Sequence, residues 1–461
     1  MSATNETASS SNPMWSSRLA FILAASGSAV GLGNIWKFPY ITGENGGGAF
    51  VLVYLLCIAV VGIPIMIAEV MIGRRGGGSP LNSMRALISR DGLSSRWKWV
   101  GGMGMLASFL ILSFYSVIGG WALAYVGNSA GGAFVGASTE QIGEMFGGLL
   151  GDPGKLLLWH SLFMVMVIVI VARGIRSGME KAINILMPLL FVLLLVMVGF
   201  AMSTDKFSAG FSFLFNPDFS KLTTDGVLTA LGHAFFTLSL GMGVMMAYGS
   251  YLPKNVSIVK TAVTVSVVDT AVALLAGLAI FPLVFANGLE PGAGPGLIFQ
   301  TLPLAFSQMP GGVFFGSLFF ILLVVAAITS AISLLEPVVE WLSEHKGISR
   351  LTATLIGGAS VWLLGIVTVL SLNVWSDVTP LAMFERFEGK TLFDLLDFVT
   401  ANLMMPLSGL LIALFVGWFM SQQATEEELA LDKGVAYKSF MWVLRYPTPA
   451  AVLVVFVYNL A

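Results

Sequence analysis

Small and polar residues that could bind a ligand interrupt the first hydrophobic segment of this chain. The interruption is the sequence AVGLGN at residues 29–34. A helix broken at bilayer depth exposes backbone N–H and C=O groups that lipid cannot satisfy, so a break persists where those groups face a cavity or a ligand. A binding site is one interpretation. A glycine-packed crossing of two helices is the other, since small residues also let transmembrane helices approach closely.

A second interruption occurs half a chain later. The sequence FFTLSLGMG places Ser239, Gly241 and Gly243 in the middle of the sixth hydrophobic segment. Two glycine-interrupted segments in corresponding halves are typical of inverted-repeat secondary transporters, in which substrate and coupling ions bind at the repeat interface. The recurrence therefore favours the binding site.

The composition requires a membrane around these segments. Of the 461 residues 56% are hydrophobic and 10% are charged, and the mean hydropathy is +0.88. Soluble domains carry about 25% charged residues, so this chain has too little polar surface for water. The net charge of -2 indicates no nucleic-acid partner. The single cysteine, Cys57, excludes disulfides within the chain, and no nucleophile and base stand at catalytic spacing, so we expect no enzyme.

Eleven segments are long and apolar enough to span a bilayer as helices. They are residues 16–42, 48–73, 98–127, 155–172, 179–201, 227–252, 258–286, 312–343, 350–371, 393–420 and 439–460. A loop at 288–311 contains a short apolar run that we expect to fold as a re-entrant or capping hairpin.

The segments divide the chain into two halves. We predict the following parts: a cytoplasmic tail at 1–14, helices 1 to 5 at 15–201, an extracellular loop at 202–226, helices 6 to 10 at 227–420, and a cytoplasmic loop with helix 11 at 421–461. The polar start lacks the order of a cleaved signal sequence. Lys and Arg residues concentrate on the side of the N-terminus. The positive-inside rule therefore places the N-terminus in the cytoplasm. We expect the chain to lie in the plasma (inner) membrane.

Several motifs together resemble the neurotransmitter:sodium symporters, in particular their bacterial amino-acid transporter branch. The motifs are GSAVGLGNIWKFPY, ENGGGAF, SFYSVIGGW, FFTLSLGMG, AAITSAIS and LRYPTPA. The resemblance implies an all-α membrane protein with an inverted five-helix repeat, in which helices 1 and 6 are broken. Family members often have twelve spans, whereas this chain has eleven segments.

The resemblance also implies two sodium sites. Sodium prefers hard oxygen ligands, which unwound carbonyls and Asn, Thr and Ser side chains provide. The first site would use Ala29, Asn34, Thr237 and Asp269 with the substrate carboxylate. The second would use Gly27, Val30, Ala326, Thr329 and Ser330. From the residues alone, the favoured interpretation of Thr329 and Ser330 is a pair of helix hydroxyls that bond to their own backbone.

Asp269 and His233 depart from the family pattern. The family usually has asparagine at the position of Asp269, where many relatives bind chloride. An intramembrane carboxylate is costly and functional by default, so we expect Asp269 to replace chloride and make transport chloride-independent. The alternative is a protonated Asp269 that hydrogen-bonds between helices. His233 stands where the family often has glutamine, and we interpret it as a neutral, hydrogen-bonded core residue rather than a proton shuttle.

The substrate implied by the resemblance is a neutral, hydrophobic or aromatic L-amino acid. Amides around Leu32 and Gly33 would bind its carboxylate at the positive end of a half-helix, together with Tyr115. Carbonyls near Ala29, Phe236, Thr237 and Ser239 would meet its ammonium. The side-chain pocket would be lined by Ser28, Ile111, Phe236, Met242, Ser330 and Leu334.

Gates and a hinge complete the resemblance. Lys37 and Asp397 match the outer ion pair of the family, with Lys in place of the commoner Arg. Trp15, Arg18 and Tyr251 form the expected inner plug. Glu344 supplies the acid of the inner pair, but Asn12 and Pro13 stand where its arginine would be. In helix 5, Gly178 and Pro188 match a Gly-X9-Pro hinge, for which a static proline kink is the alternative.

Two further acids, Glu69 and Glu336, lie within the hydrophobic segments. We expect Glu69 to bind freed amides of helix 6 and Glu336 to be structural. A channel would need a continuous polar pore, and a membrane enzyme a catalytic pair. A proton-coupled or exchange-type amino-acid or amine transporter of the same fold is the main alternative to sodium symport.

Overall fold

The hydrophobic segments fold as helices in the computed structural model, which describes residues 14–292, 296–431 and 434–460. Within these ranges the chain is helical and contains no β-strand, as expected where lipid cannot satisfy an open backbone. The eleven membrane helices, numbered in chain order, are helix 1 (Arg18–Ala29 and Gly33–Glu44), helix 2 (Gly48–Gly76), helix 3 (Lys98–Ala130), helix 4 (Pro153–Ala172), helix 5 (Ile175–Met202), helix 6 (Thr224–Thr237 and Val244–Ser250), helix 7 (Ile258–Ala286), helix 8 (Gly312–Lys346), helix 9 (Arg350–Ser371), helix 10 (Leu392–Phe419) and helix 11 (Val435–Leu460).

Two of these helices are interrupted where the sequence predicted. In the described ranges, nine helices are long and apolar enough to cross a membrane without a break. The two parts of helix 1 make a tenth span, bent by 48°. Helix 6 is split by residues 238–243 into two parts that are each too short to cross alone.

The connections contain more helix than the sequence indicated. Four stretches between the predicted spans fold as short helices: Pro80–Asp91, Thr139–Leu150, Phe207–Phe215 and Gln422–Leu429. The apolar run in the 288–311 loop forms a π-turn and a helix that together cover Leu297–Gln308. Its residue Phe299 is fully buried, and the Phe299 carbonyl accepts a hydrogen bond of 2.9 Å from the Tyr125 hydroxyl of helix 3. The run therefore packs into the outer part of the bundle as a capping element.

The broken helices lie at the centre of the bundle. Helix 1 packs against helices 7 and 8, and the second part of helix 6 packs against helix 2. Helix 3 and helix 8 also pack extensively against each other. We call the end with Trp15 and Arg350 the inner end, and the end with Lys37 and Asp397 the outer end.

Candidate functional site

The break in helix 1 exposes backbone groups that side chains of other helices partly satisfy. Val30 is extended, with φ -72° and ψ 102°, and the helix resumes as a π-turn at Gly33. The Leu32 amide donates to the hydroxyl of Tyr115 on helix 3 at 3.2 Å. The Gly31 amide donates to the Asn34 side chain at 3.0 Å. The start of the second half-helix thus presents amide donors towards Tyr115.

The break in helix 6 relies on left-handed backbone conformations. Gly241 and Gly243 have φ values of +74° and +71°, which glycine adopts without strain. Ser239 has φ +53°, which is uncommon for a residue other than glycine. The Gly241 amide donates to the buried carboxylate of Glu69 on helix 2 at 2.6 Å. The predicted role of Glu69, binding a freed amide of helix 6, is confirmed.

A small buried cavity lies between the two breaks. Every residue predicted to contact the substrate lines it except Thr237, and Gly31 lines it in addition. None of these lining residues is charged. The cavity volume is about 20 Å³, which is space for about one water molecule.

Serine hydroxyls form a hydrogen-bonded group around Ser28 at this cavity. The Ser28 hydroxyl donates to Ser333 at 2.7 Å and lies 3.3 Å from the Ser239 hydroxyl. Ser239 in turn donates to the Ser28 carbonyl at 3.0 Å, and Ser330 donates to the same carbonyl at 3.1 Å. The hydroxyls of Ser239 and Ser333 thus adjoin that of Ser28 in the predicted side-chain pocket. Ser333 stands in the quoted AAITSAIS motif, whose spacing places it one turn beyond Ser330.

Two of the residues predicted for the first sodium site, Asn34 and Thr237, contact a third, Asp269. Its carboxylate accepts hydrogen bonds from the Asn34 amide at 2.7 Å and from the Thr237 hydroxyl at 3.0 Å to each oxygen. The Tyr54 hydroxyl lies 3.5 Å from the second oxygen. Asp269 is fully buried. Oxygen atoms of helices 2, 6 and 7 thus meet the side-chain amide nitrogen of Asn34 from helix 1.

The residues predicted for the second sodium site also meet, between helices 1 and 8. The Thr329 hydroxyl lies 3.4 Å from the Val30 carbonyl and 3.0 Å from the Ala326 carbonyl. The Ser330 hydroxyl lies 3.5 Å from the Gly27 carbonyl. Thr329 therefore bonds to its own helix, as the alternative interpretation held, and also faces helix 1. Both sets consist of hard oxygen donors, which fit sodium rather than a soft metal.

The outer gate residues Lys37 and Asp397 do not form an ion pair with each other. No pair within 4.0 Å joins Lys37 to Asp397 among the described residues. The Lys37 ammonium instead lies 4.7 Å from the ring centre of Phe236. A second cavity, of about 370 Å³, opens on the outer side of Phe236 and is lined by Lys37, His233 and Asn402 among others. Phe236 lines both cavities and thus lies between this outer cavity and the small buried cavity.

His233 is buried and packs through its ring. The ring lies 5.4 Å from that of Tyr54 and 5.9 Å from that of Phe38. Neither ring nitrogen has a hydrogen-bond partner among the described residues. His233 is thus a core residue, but the prediction that it is hydrogen-bonded was wrong for the described residues.

Trp15 and Tyr251 close the inner end, whereas Arg18 does not join them. The Trp15 amide donates to the Tyr251 carbonyl at 3.2 Å, and the Trp15 indole donates to the Tyr248 carbonyl at 3.3 Å. Arg18 is exposed on the first turn of helix 1. The expectation that Arg18 forms part of this plug has no support in its position.

Glu344 caps a short helix instead of pairing with an arginine. Its carboxylate accepts the Ser79 amide at 3.0 Å and the Asn82 side chain at 2.7 Å. It therefore caps the start of the helix Pro80–Asp91. Asn12 and Pro13, the positions where the family would have an arginine, lie outside the described residues.

Arg350 and Glu180 are inner-end residues that sequence reasoning missed. The Arg350 guanidinium bonds to both oxygens of buried Glu336, at 2.9 and 2.5 Å, and Tyr251 donates to Glu336 at 3.0 Å. Glu180 of helix 5 accepts the Ser16 amide at 3.1 Å and also the Ser16 hydroxyl. An intramembrane acid such as Glu336 calls for a cationic partner, and that rule would have pointed to the nearby Arg350.

The predicted hinge of helix 5 lies in a π-turn. Residues Ile175–Glu180 form this turn, and Pro188 lies within the α-helix that follows. A Cβ atom on Gly178 would stand 2.1 Å from the Ile170 carbonyl of helix 4. Gly178 therefore allows close packing of helices 4 and 5 at the wider turn.

Comparison with known proteins gives one family for the whole chain. The model of the sodium:neurotransmitter symporter family matches residues 12–142 and 141–461. A protein of Bacillus subtilis, an uncharacterised sodium-dependent transporter, is 39% identical over 445 residues that cover 96% of each chain. A sodium-dependent transporter of Haemophilus influenzae, also uncharacterised, is 36% identical over 453 residues, 97% of this chain and 98% of the other.

A solved structure with the same architecture extends this likeness. The crystal structure of MhsT in complex with L-phenylalanine superposes with a TM-score of 0.88 and is 44% identical in sequence. The match covers 97% of this chain and 99% of MhsT. The predicted fold, an inverted five-helix repeat with broken helices 1 and 6, is confirmed.

Proposed function

The chain belongs to the sodium:neurotransmitter symporter family and is a sodium-dependent transporter rather than an enzyme, and from this premise we propose that it imports neutral, hydrophobic or aromatic L-amino acids together with sodium. The observation that carries this proposal is the cavity between the two breaks. Its lining residues are uncharged and apolar apart from hydroxyls and backbone groups. Such a lining suits a zwitterion with an apolar side chain and offers no carboxylate to a second ammonium.

The substrate's charged ends meet backbone groups in this proposal. The carboxylate takes the place of the Tyr115 hydroxyl at the Leu32 amide, where the positive end of the half-helix favours an anion. The ammonium faces carbonyls beside Ala29, Phe236 and Ser239. The bound L-phenylalanine of MhsT, at 44% identity, supports a substrate of this class.

Two sodium ions accompany the substrate. The first lies among Asn34, Thr237 and Asp269, where it would replace the hydrogen bonds of 2.7 and 3.0 Å that Asp269 accepts from the other two. The second lies between the carbonyls of Gly27 and Val30 and the Thr329 hydroxyl. The Asp269 carboxylate offsets one positive charge, so chloride is not required.

Alternating access moves the ends of helices 1 and 6. The N-terminus lies in the cytoplasm, and the chain spans the plasma (inner) membrane. The outer gate is Phe236 with Lys37 and Asp397. The inner gate is Trp15 with the chain of Tyr251, Glu336 and Arg350. The π-turn at Gly178 is where helix 5 yields when the inner end opens.

Thermal unfolding of the purified protein with each of the twenty amino acids, in sodium and in potassium, tests the proposal. We expect hydrophobic and aromatic L-amino acids to raise the Tm in sodium and to leave it unchanged in potassium, because the site assembles around the ion. D-Phenylalanine serves as the control ligand. Equal stabilisation in potassium would contradict sodium coupling, and stabilisation by charged amino acids alone would contradict the substrate class.

A further inference from the structure

A groove on the membrane-facing surface stands apart from the transport site. It has a volume of about 580 Å³ and lies between the start of helix 3 and the inner half of helix 10. Its lining includes Arg96, Trp97, Trp99, Met103, Leu106 and Leu411. No lining residue is shared with the cavity between the helix breaks.

The position of the groove restricts what can occupy it. Helix 3 is a membrane span, and its first turns carry the groove. Trp99 and Leu106 are 67% and 50% exposed. Arg96 and Leu106 are about 15 Å apart along the helix axis at 1.5 Å per residue. The groove therefore runs from the membrane interface into the hydrocarbon of one leaflet, and its occupant must be amphipathic.

The interfacial end of the groove is cationic and aromatic. Arg96 lines it, and the Lys98 ammonium lies 5.5 Å from the ring centre of Trp99. Neither cation forms an ion pair with another described residue. On the neighbouring helix ends, Arg445 lies 5.8 Å from the exposed ring of Trp418. Tryptophans of this kind sit at headgroup level, and arginine binds phosphate through its planar fork.

We propose that this groove binds one phospholipid of the inner leaflet that carries a net negative headgroup. Its acyl chain lies along Met103, Leu106 and Leu411, and its headgroup phosphate meets Arg96. The unpaired charges of Arg96 and Lys98 favour an anionic headgroup over a zwitterionic one, because a basic residue near the surface contributes about fivefold in affinity for anionic lipid.

The lipid site backs onto the transport site without overlapping it. A Cβ atom on Gly104 of helix 3 would stand 2.8 Å from the Gly243 amide nitrogen in the break of helix 6. Gly102 and Met103, in the same turn, line the groove. One turn of helix 3 thus separates the lipid from the break. This inference stands on the groove alone and does not require the proposed substrate.

Native mass spectrometry of the delipidated protein, titrated with phosphatidylglycerol or phosphatidylcholine, tests the proposal. We expect one phosphatidylglycerol to bind the wild type in preference to phosphatidylcholine. Met103→Trp and Leu106→Trp fill the groove and should abolish this binding. Leu106 is half exposed, so its replacement keeps the protein folded even if that of Met103 does not.

The headgroup contact is tested separately. Arg96→Gln should weaken phosphatidylglycerol binding about fivefold and leave phosphatidylcholine binding unchanged. Lys260→Gln, on the exposed first turn of helix 7, is the matched control and should change neither. Unchanged lipid binding in both tryptophan variants would overturn the site. Equal wild-type affinity for the two lipids, or equal effects of Arg96→Gln and Lys260→Gln, would overturn the anionic headgroup.

Discussion

The side-chain amide of Asn34 donates to the carboxylate of Asp269 across 2.7 Å. This hydrogen bond joins the break of helix 1 to the middle of helix 7. The same amide nitrogen also lies 3.0 Å from the Asp269 carbonyl. The relationship fixes Asn34 so that its side-chain oxygen accepts the Gly31 amide within the break.

Sodium dependence should rest on Asn34 and Thr329. Asn34→Ala and Thr329→Ala each remove a proposed oxygen ligand, at a cost of about 1–3 kcal/mol, which is a loss of about 5- to 150-fold in sodium affinity. Amino-acid uptake into proteoliposomes, measured against sodium concentration, checks this. Thr264→Ala is the matched control, since that exposed hydroxyl bonds to its own helix. Undiminished uptake without sodium would rule the prediction out.

Replacement of Asp269 should reveal a chloride requirement. Two sodium ions and a zwitterion leave excess positive charge in a low dielectric, which a fixed carboxylate relieves. Wild-type uptake should therefore survive replacement of chloride by gluconate. Asp269→Asn should lose uptake or become chloride-stimulated.

Measuring uptake at internal pH 5 to 8 distinguishes charge replacement by Asp269 from a second role, proton uptake. If Asp269 took up a proton on the return step, wild-type uptake would rise with internal acidity. Strong chloride dependence of the wild type would refute charge replacement by Asp269.

Met242 should set the size limit of the substrate. Met242 is 2% exposed and lines the small buried cavity, as does Leu334. In Met242→Phe the added ring volume clashes with a large side chain, so tryptophan binding should fall more than alanine or valine binding. Competition against a labelled substrate measures this. Equal losses for all three amino acids would place the side-chain pocket elsewhere.

Gly31 should tolerate no side chain. A Cβ atom there would stand 2.2 Å from the Ser330 hydroxyl and 2.9 Å from the Tyr115 hydroxyl. Gly31→Ala should therefore lower sodium and substrate affinity by at least about tenfold, because it displaces both hydroxyls. Gly199→Ala in helix 5 is the control, since nothing lies within 4 Å of its Cβ position. Isothermal titration calorimetry with substrate in the presence of sodium measures this affinity. Wild-type affinity in Gly31→Ala would contradict the predicted clash.

The pair of Arg350 and Glu336 should stabilise the inner end only as a unit. Glu336 is fully buried, so Arg350→Met leaves an uncompensated charge and should cost about 3–5 kcal/mol. Adding Glu336→Gln removes that charge and should recover much of the loss. Thermal unfolding of the single and double variants measures the coupling. Additive destabilisation would mean that the pair is not coupled.

Residue type and motif predicted the centre of the molecule better than its ends. The breaks of helices 1 and 6 followed from glycine inside apolar segments, and their lining residues from motif positions within single helices. Glu69 followed from the rule that a buried acid needs a donor. These inferences succeed because each depends on local sequence or on a strong energetic penalty.

The ends of the helices depend on geometry that no single motif encodes. The partner of Glu336 is Arg350, 14 residues further on, and their contact requires the particular turn between helices 8 and 9. Lys37 and Asp397 belong to different helices, so their separation depends on how those helices tilt. Arg18 was expected at the plug from its position near Trp15, but its side of the helix turn faces outward.

The cavity volume of about 20 Å³ has a kinetic consequence. No amino acid fits into this space until Phe236 and the neighbouring helix segments move, so association waits for that motion. The observed rate of binding should then level off as substrate concentration rises, at the rate of opening rather than at the rate of encounter. Substrates would therefore differ mainly in their dissociation rates and very little in their association rates.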